Sequence, residues 1–144
     1  MASESEPICL HYEVPGNDFT RAGEASADLK ARLKALGFPS AAVRRAAIAL
    51  YEGEINLAIH AHGGHINVSV TPQRIDMLLW DEGPGIADIP LAMSEGYSTA
   101  PDEVRSLGFG AGMGLPNMKK YTDEFELAST VGAGTRITMA VYVS

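Results

Sequence analysis

Three polar residues, Glu52, Asn56 and His60, follow one another at intervals of four along the chain. In an α-helix this spacing places them in a line on one face, beside apolar neighbours. A glutamate there can accept a proton from a hydroxyl or a water, and an asparagine oxygen suits Mg²⁺ when phosphates supply the other ligands. A solvent-facing helix stripe has the same pattern, so the spacing alone leaves both interpretations open.

A second candidate is the segment DEGPG, residues 81–85, which follows the apolar sequence MLLW. An aspartate such as Asp81 at the end of a buried strand is an acceptor suited to an exocyclic amine like that of adenine. Gly83 and Gly85 allow the backbone to turn and to approach a ligand closely. Ordinary turns have the same composition, so the segment alone is a weak signal.

The third candidate is GFGAGMG, in which Gly108, Gly110, Gly112 and Gly114 alternate ahead of a predicted helix. Such a segment presents backbone N–H groups to a phosphate without any net positive charge. It lacks the lysine of the GxxxxGK[ST] loop, and no strand directly precedes it as in a dinucleotide-binding fingerprint. A hinge or the edge of a lid is the alternative interpretation.

Two further features are weaker. The sequence GAGT at 132–135 is, in isolation, most typical of a hairpin turn.

The only cysteine, Cys9, cannot form an intrachain disulfide or a cysteine-based zinc site. Nor do we expect a metal site from the histidines, because the first is distant in sequence and the others fall where a helix ends. These histidines are His11, His60, His62 and His65.

Apolar periodicity and turn residues predict the elements that position these motifs. The first elements are a strand at 8–14, a helix over 19–36 capped by Asn17 or Asp18, and a helix from Ser40 to the Gly63-Gly64 pair. A hairpin around Pro72-Gln73 follows, and then an irregular segment over 88–114 with a short helix at IPLAMSEG. The last elements are a helix over 115–122 and a closing hairpin of EFELAST and TRITMAVYV. Strands in antiparallel pairs with clustered helices predict an α+β two-layer sandwich, with a mixed, mostly antiparallel sheet and helices on one face.

The 144 residues, 46% of them apolar, suit one domain over 7–144, with a disordered N-terminus over 1–6. A formal charge of -7 argues against nucleic acid or an anionic membrane as partner. The sequence begins without the features of a signal peptide and contains no long apolar run. We therefore expect a cytoplasmic protein.

Taken in order, the motifs resemble those of the GHKL (Bergerat-fold) ATPase superfamily. Its marks are an asparagine-bearing helix, a DxGxG turn, a mobile lid, a glycine-rich box and a late Gly-Thr, and the lid corresponds here to about 88–107. Within the superfamily the sequence is most similar to the anti-sigma regulatory factor, or switch-protein serine kinase, branch. The resemblance covers nearly the whole chain.

The resemblance implies ATP or ADP with Mg²⁺ as cofactors, and it implies a role for each motif. Glu52 would be the general base, and Asn56 would ligand Mg²⁺. Asp81 would receive the adenine amine, with Gly85 beside the base and Thr135 supporting it through water, and Gly83 would also belong to the nucleotide-binding residues. The phosphates would be bound by the glycine box and the residue after it, namely Gly108, Gly110, Gly112, Gly114 and Leu115.

For function, the resemblance implies an ATP-dependent serine/threonine-protein kinase that phosphorylates a small anti-anti-sigma-like protein. Two alternatives share the same pocket: a nucleotide-gated module that sequesters a sigma factor or another regulator, and a slow ATPase in which Glu52 activates water. No phosphoacceptor helical hairpin is visible, which disfavours a complete histidine kinase. A homodimer is left open.

Overall fold

The computed structural model describes residues 7–16, 23–60, 63–83, 93 and 114–143. The elements are β1 (Ile8–Pro15), α1 (Glu24–Ala35), α2 (Ser40–His60), β2 (Gly63–Val70), β3 (Arg74–Trp80), α3 (Gly114–Lys120), β4 (Glu124–Thr130) and β5 (Gly134–Tyr142). Among these helices none combines the length and the apolar character that a membrane span requires.

The five strands form one sheet in the order β1-β2-β3-β5-β4, and every neighbouring pair is antiparallel. Apolar residues alternate along the central strands, so one face of the sheet is buried against the helices while the other carries polar side chains. α2 packs against both α1 and α3 on the buried face. The predicted α+β sandwich and its two hairpins are confirmed.

The core lies between α2 and the sheet. Leu50 and Leu57 of α2 are almost fully buried, as are Met77 and Leu79 of β3 and Met139 of β5. Burying such a side chain stabilises the fold by roughly 1.5–3 kcal/mol before entropy is counted. This packing fixes α2, and with it the predicted site residues, relative to the end of β3.

The start of α1 differs from the prediction. Residues 17–22, including the expected caps Asn17 and Asp18, lie outside the described residues, but Gly23 has a φ of 103° and cannot continue a helix. The helix therefore begins at Glu24 rather than at 19. Its first N–H groups are satisfied by a side chain from α2 instead of a local cap.

The Gly63-Gly64 pair also differs from its predicted role. α2 extends to His60, and the pair opens β2 rather than ending the helix. A Cβ on Gly64 would lie 2.6 Å from the carbonyl oxygen of Trp80 and 2.8 Å from Leu57 Cδ2, so only glycine allows this close packing. α3 runs from Gly114 to Lys120, ending two residues before the predicted limit.

Candidate functional site

Glu52 lies on α2, half-buried, and faces α3. The side-chain amide of Asn117 donates a hydrogen bond to Glu52 Oε2 at 3.2 Å. A bond to a carboxylate restricts its rotation. Sequence reasoning did not single out Asn117, although it stands three residues after the last glycine of the box and so one helical turn into α3.

Gly53 explains how α2 comes so near its neighbours. A Cβ at this position would overlap Leu79 Cδ2 and would lie 3.7 Å from Met118 Sδ. The low helix propensity of glycine is therefore offset by close contact of α2 with both β3 and α3. This contact brings Glu52 within reach of Asn117.

Glu54 is the second carboxylate of this helix, and its surroundings are different. Its side chain is buried, and its two oxygens accept the backbone N–H groups of Gly23, Ala25 and Ser26 at 2.7–3.1 Å. These are orphan donors at the start of α1, where a negative charge is stabilising. Glu54 is therefore a capping residue for α1 and is not available to a ligand.

Asn56 lies one turn after Glu52 and is half-buried. Within the part of the chain that the structure describes, its amide has no hydrogen-bond partner, so its oxygen is free to bind a ligand. The polar line predicted along α2 is thus present for Glu52 and Asn56. The side chain of His60 lies outside the described residues.

Asp81 follows β3 directly and is only 8% exposed. Its Oδ1 accepts the N–H of Gly83 at 2.7 Å, and its own N–H donates to the Thr135 carbonyl at 3.0 Å. Burial raises the pKa of the Asp81 carboxyl, and the backbone amides of Gly83 and Thr135 oppose that rise. No ion pair to this carboxylate is found among the described residues. Within the described parts of the chain, Asp81 is thus a buried acceptor without a cation beside it.

The GAGT motif lies beside Asp81. Gly134 has a φ of 126°, and a Cβ there would overlap the carbonyl oxygen of Asp81. Thr135 is buried, and its hydroxyl lies 2.9 Å from the Ser129 hydroxyl. The motif forms the end of a hairpin turn, as expected in isolation, and its glycine also permits contact between β5 and the segment after β3. The sequence could not predict this contact, because Gly134 and Asp81 are far apart along the chain.

The remaining predicted site residues are only partly described. Gly114 opens α3, and Leu115 is buried in the core. Gly85, Gly108, Gly110, Gly112 and the lid at 88–107 lie outside the described residues, except that Met93 packs against the core.

The described parts of the site meet at one end of β3. Gly53 of α2 packs against Leu79, which lies two residues before Asp81. Gly64 of β2 lies close both to Leu57 of α2 and to the Asp81 side chain. The helix carrying Glu52 and Asn56 therefore packs against β3, the strand that Asp81 follows directly. Among the described residues, a polar line on α2 therefore lies near a buried aspartate at one end of the antiparallel sheet.

Comparison with known proteins shows the family to which the chain belongs. Residues 17–141 match the model of the histidine kinase-like ATPase domain, and the chain belongs to that family, as the resemblance to GHKL ATPases predicted. The chain is 35% identical over 108 residues to the serine/threonine-protein kinase RsbT of Bacillus subtilis, covering 72% of this chain and 75% of that protein. It is 34% identical over 100 residues to the anti-sigma F factor of Caldanaerobacter subterraneus, covering 66% of each.

A solved structure shares the fold. The crystal structure of the RsbU and RsbW domains of a Mycobacterium tuberculosis protein aligns with a TM-score of 0.63 at 14% identity. The alignment covers 93% of this chain and 32% of that one. At this identity the likeness concerns the fold alone.

Proposed function

We propose that this protein is an ATP-dependent serine/threonine kinase of the anti-sigma factor type that phosphorylates a small anti-anti-sigma-like protein in the cytoplasm. The observation that carries the proposal is the pair of carboxylates on α2. Glu54 is fully used in capping α1, whereas Glu52 is half-exposed, oriented by Asn117 and one turn from Asn56. The similarity to RsbT supports the same activity.

In this proposal Asp81 accepts the exocyclic amine of adenine. A buried acceptor without a cation partner gains most from a ligand donor, because the donor replaces the water that burial removed. Thr135, adjacent to Asp81 through the backbone hydrogen bond, would contribute its hydroxyl through water. Gly83 and Gly85 would leave room for the base.

The phosphates would be bound by the backbone N–H groups of the glycine box. Gly108, Gly110, Gly112 and Gly114 would contribute, and Leu115 would fix the loop through its buried side chain. Asn56 fits Mg²⁺ because the residue is half-exposed and its amide oxygen has no partner among the residues that the structure describes. When bound with the nucleotide, Mg²⁺ supplies charge neutralisation at the transferred phosphoryl group.

Glu52 would act on the partner's serine. A carboxylate held by the Asn117 amide can accept the hydroxyl proton as the serine oxygen attacks the γ-phosphoryl group, the bond to the β-phosphate breaks and ADP leaves. The Asn117 bond would hold one oxygen, Oε2, and leave Oε1 to the serine. Asn117 is in this role a positioning residue.

The test is transfer of radiolabelled phosphate from ATP to small single-domain proteins encoded by neighbouring genes. We expect labelling of a serine by the wild type, and a loss of roughly 10²–10⁴-fold in Glu52→Ala. The matched control is Glu82→Gln, which changes an exposed carboxylate beside Asp81 and should keep full transfer. Transfer that survives Glu52→Ala would contradict the proposed base.

A second candidate is a nucleotide-gated module that sequesters a regulator without phosphorylating it. The similarity to anti-sigma F factors favours it. It predicts ATP-dependent capture of a partner with no labelled product, and capture that is equal in the wild type and in Glu52→Ala.

A further inference from the structure

We propose that His11, Glu13 and His65 form a binding site for a transition-metal ion of the Zn²⁺ class on the face of the sheet opposite the helices. One ligand atom from each of the three residues can be chosen so that all lie within 4.8 Å of one another. The site is separate from the nucleotide pocket proposed above and does not depend on it.

Strand pairing brings these residues together. β1 and β2 are antiparallel, with His11 opposite Asn67 and Glu13 opposite His65, so the two histidines are diagonal neighbours on one face. From the sequence no such cluster was expected, because His11 is remote from the other histidines. This expectation is wrong for His11 and His65, because pairing of β1 with β2 brings the two residues together in the sheet.

The geometry requires only side-chain movement to hold a metal. A tetrahedral Zn²⁺ with bonds of about 2.0–2.2 Å separates its ligand atoms by about 3.4 Å. Here His65 Nδ1 lies 4.0 Å from Glu13 Oε1, and the Glu13 side chain is 76% exposed. Rotation of exposed side chains on two paired strands closes this gap, and the fourth position stays open to solvent.

A neighbouring amide orients one of the imidazoles. His11 Nδ1 lies 2.6 Å from Asn67 Oδ1. In the neutral ring Nδ1–H donates to this amide oxygen, which leaves the Nε2 lone pair for the metal. Histidine ligands in metal sites are held in the same way by a carbonyl or carboxylate on the other ring nitrogen.

An aromatic stack orients the other imidazole. The His65 ring lies 5.2 Å from the Trp80 ring at an interplanar angle of 26°, and 5.7 Å from the His11 ring. Two imidazoles and a carboxylate favour Zn²⁺, Ni²⁺ or Cu²⁺ over Mg²⁺, which prefers oxygen ligands alone. Trp80 is the only tryptophan of the chain, so its fluorescence reports on this site.

The experiment uses untagged, metal-free protein without nucleotide. Zn²⁺ is titrated against a chromophoric chelator, and Cu²⁺ is titrated while Trp80 fluorescence is recorded. We expect one tight equivalent of Zn²⁺, and quenching of Trp80 that saturates at one Cu²⁺. His11→Gln and His65→Gln should each weaken binding by more than about tenfold, and Asn67→Ala by about tenfold.

Two variants serve as matched controls. His62→Gln changes a histidine that is not one of the three proposed ligands, and Cys9→Ser removes the exposed thiol. Both should bind as the wild type does. The proposal is overturned if the double variant His11→Gln/His65→Gln binds as tightly as the wild type, or if either control abolishes binding. Far-UV circular dichroism of each variant checks the fold, and ADP titration of the double variant separates this result from the nucleotide proposal.

Discussion

Glu52 and Glu54 are two carboxylates two positions apart on α2, and their surroundings give them opposite tasks. Glu54 is almost completely buried and accepts three backbone N–H groups. Glu52 is half-buried and bonds one side chain, that of Asn117. The two residues can therefore be distinguished by separate readouts.

We predict that Glu54→Gln lowers the free energy of unfolding by about 2–3 kcal/mol. The substitution replaces charge-assisted hydrogen bonds and turns an amide NH₂ group toward backbone donors. Glu52→Gln should change the unfolding free energy by less than about 0.5 kcal/mol. Urea unfolding followed by circular dichroism measures both. Equal stability losses in the two variants would contradict the assignment of Glu54 as the cap.

A second prediction concerns Asp81 and pH. Its folded pKa is raised above the ordinary value of 3.8, so the folded state loses stability from this residue as pH rises from about 3.8 through the raised pKa. An asparagine cannot ionise, so the variant Asp81→Asn does not lose stability in this way. We expect the unfolding free energy of Asp81→Asn, relative to the wild type, to increase over this window and then level off.

The same variant should weaken nucleotide binding by at least about tenfold, because the amide offers one acceptor where the carboxylate offers two and adds a donor facing the adenine amine. Urea unfolding at several pH values and titration with ADP check the two effects. Glu82→Gln is the control for both. A flat pH dependence of the difference would contradict a buried, ionised Asp81.

At the scale of the elements, the end of β3 and the start of β5 touch because of glycine. Gly134 has a positive φ, and a Cβ there would overlap the Asp81 carbonyl. Gly132, in the same turn, has a φ of 82° with no atom within 4 Å of a Cβ. Substituting each glycine therefore distinguishes two effects: backbone strain, which both positions would show, and a clash with a neighbouring backbone, which only Gly134 would show.

We predict that Gly132→Ala costs about 1–2 kcal/mol of stability, the strain of a left-handed residue. Gly134→Ala should cost at least about 1 kcal/mol more, because the backbone of Asp81 must also shift. Only Gly134→Ala should weaken ADP binding. Chemical unfolding and calorimetry of the two variants make the comparison, and indistinguishable variants would show that the contact with Asp81 has no consequence.

The elements themselves were largely readable from the sequence, whereas their contacts were not. Alternating apolar residues predicted the strands at 8–14 and in both hairpins. The start of α1 was misplaced because its cap, Glu54, is distant in sequence and no local signal marks it. Gly53 has a low intrinsic helix propensity, and only the packing of α2 against Leu79 explains why a glycine stands there. Asn117 could be found only once α2 and α3 were seen together.

At the scale of the whole molecule, the order of motifs indicated the fold, and the antiparallel sheet with helices on one face agrees with it. The sheet also has a second face, where pairing of β1 with β2 gathers His11, Glu13 and His65. Composition and spacing could not reveal this cluster, because register is set by the sheet. The molecule thus presents two chemically different surfaces.

We propose that adenine nucleotide binds at the end of β3 beneath α2. Isothermal titration of the intact protein with ADP and Mg²⁺ tests this proposal. We predict saturable heat with one nucleotide per chain, and at least about tenfold weaker binding in Asp81→Asn. No heat at millimolar ADP, or the same affinity in Asp81→Asn, would contradict the claim.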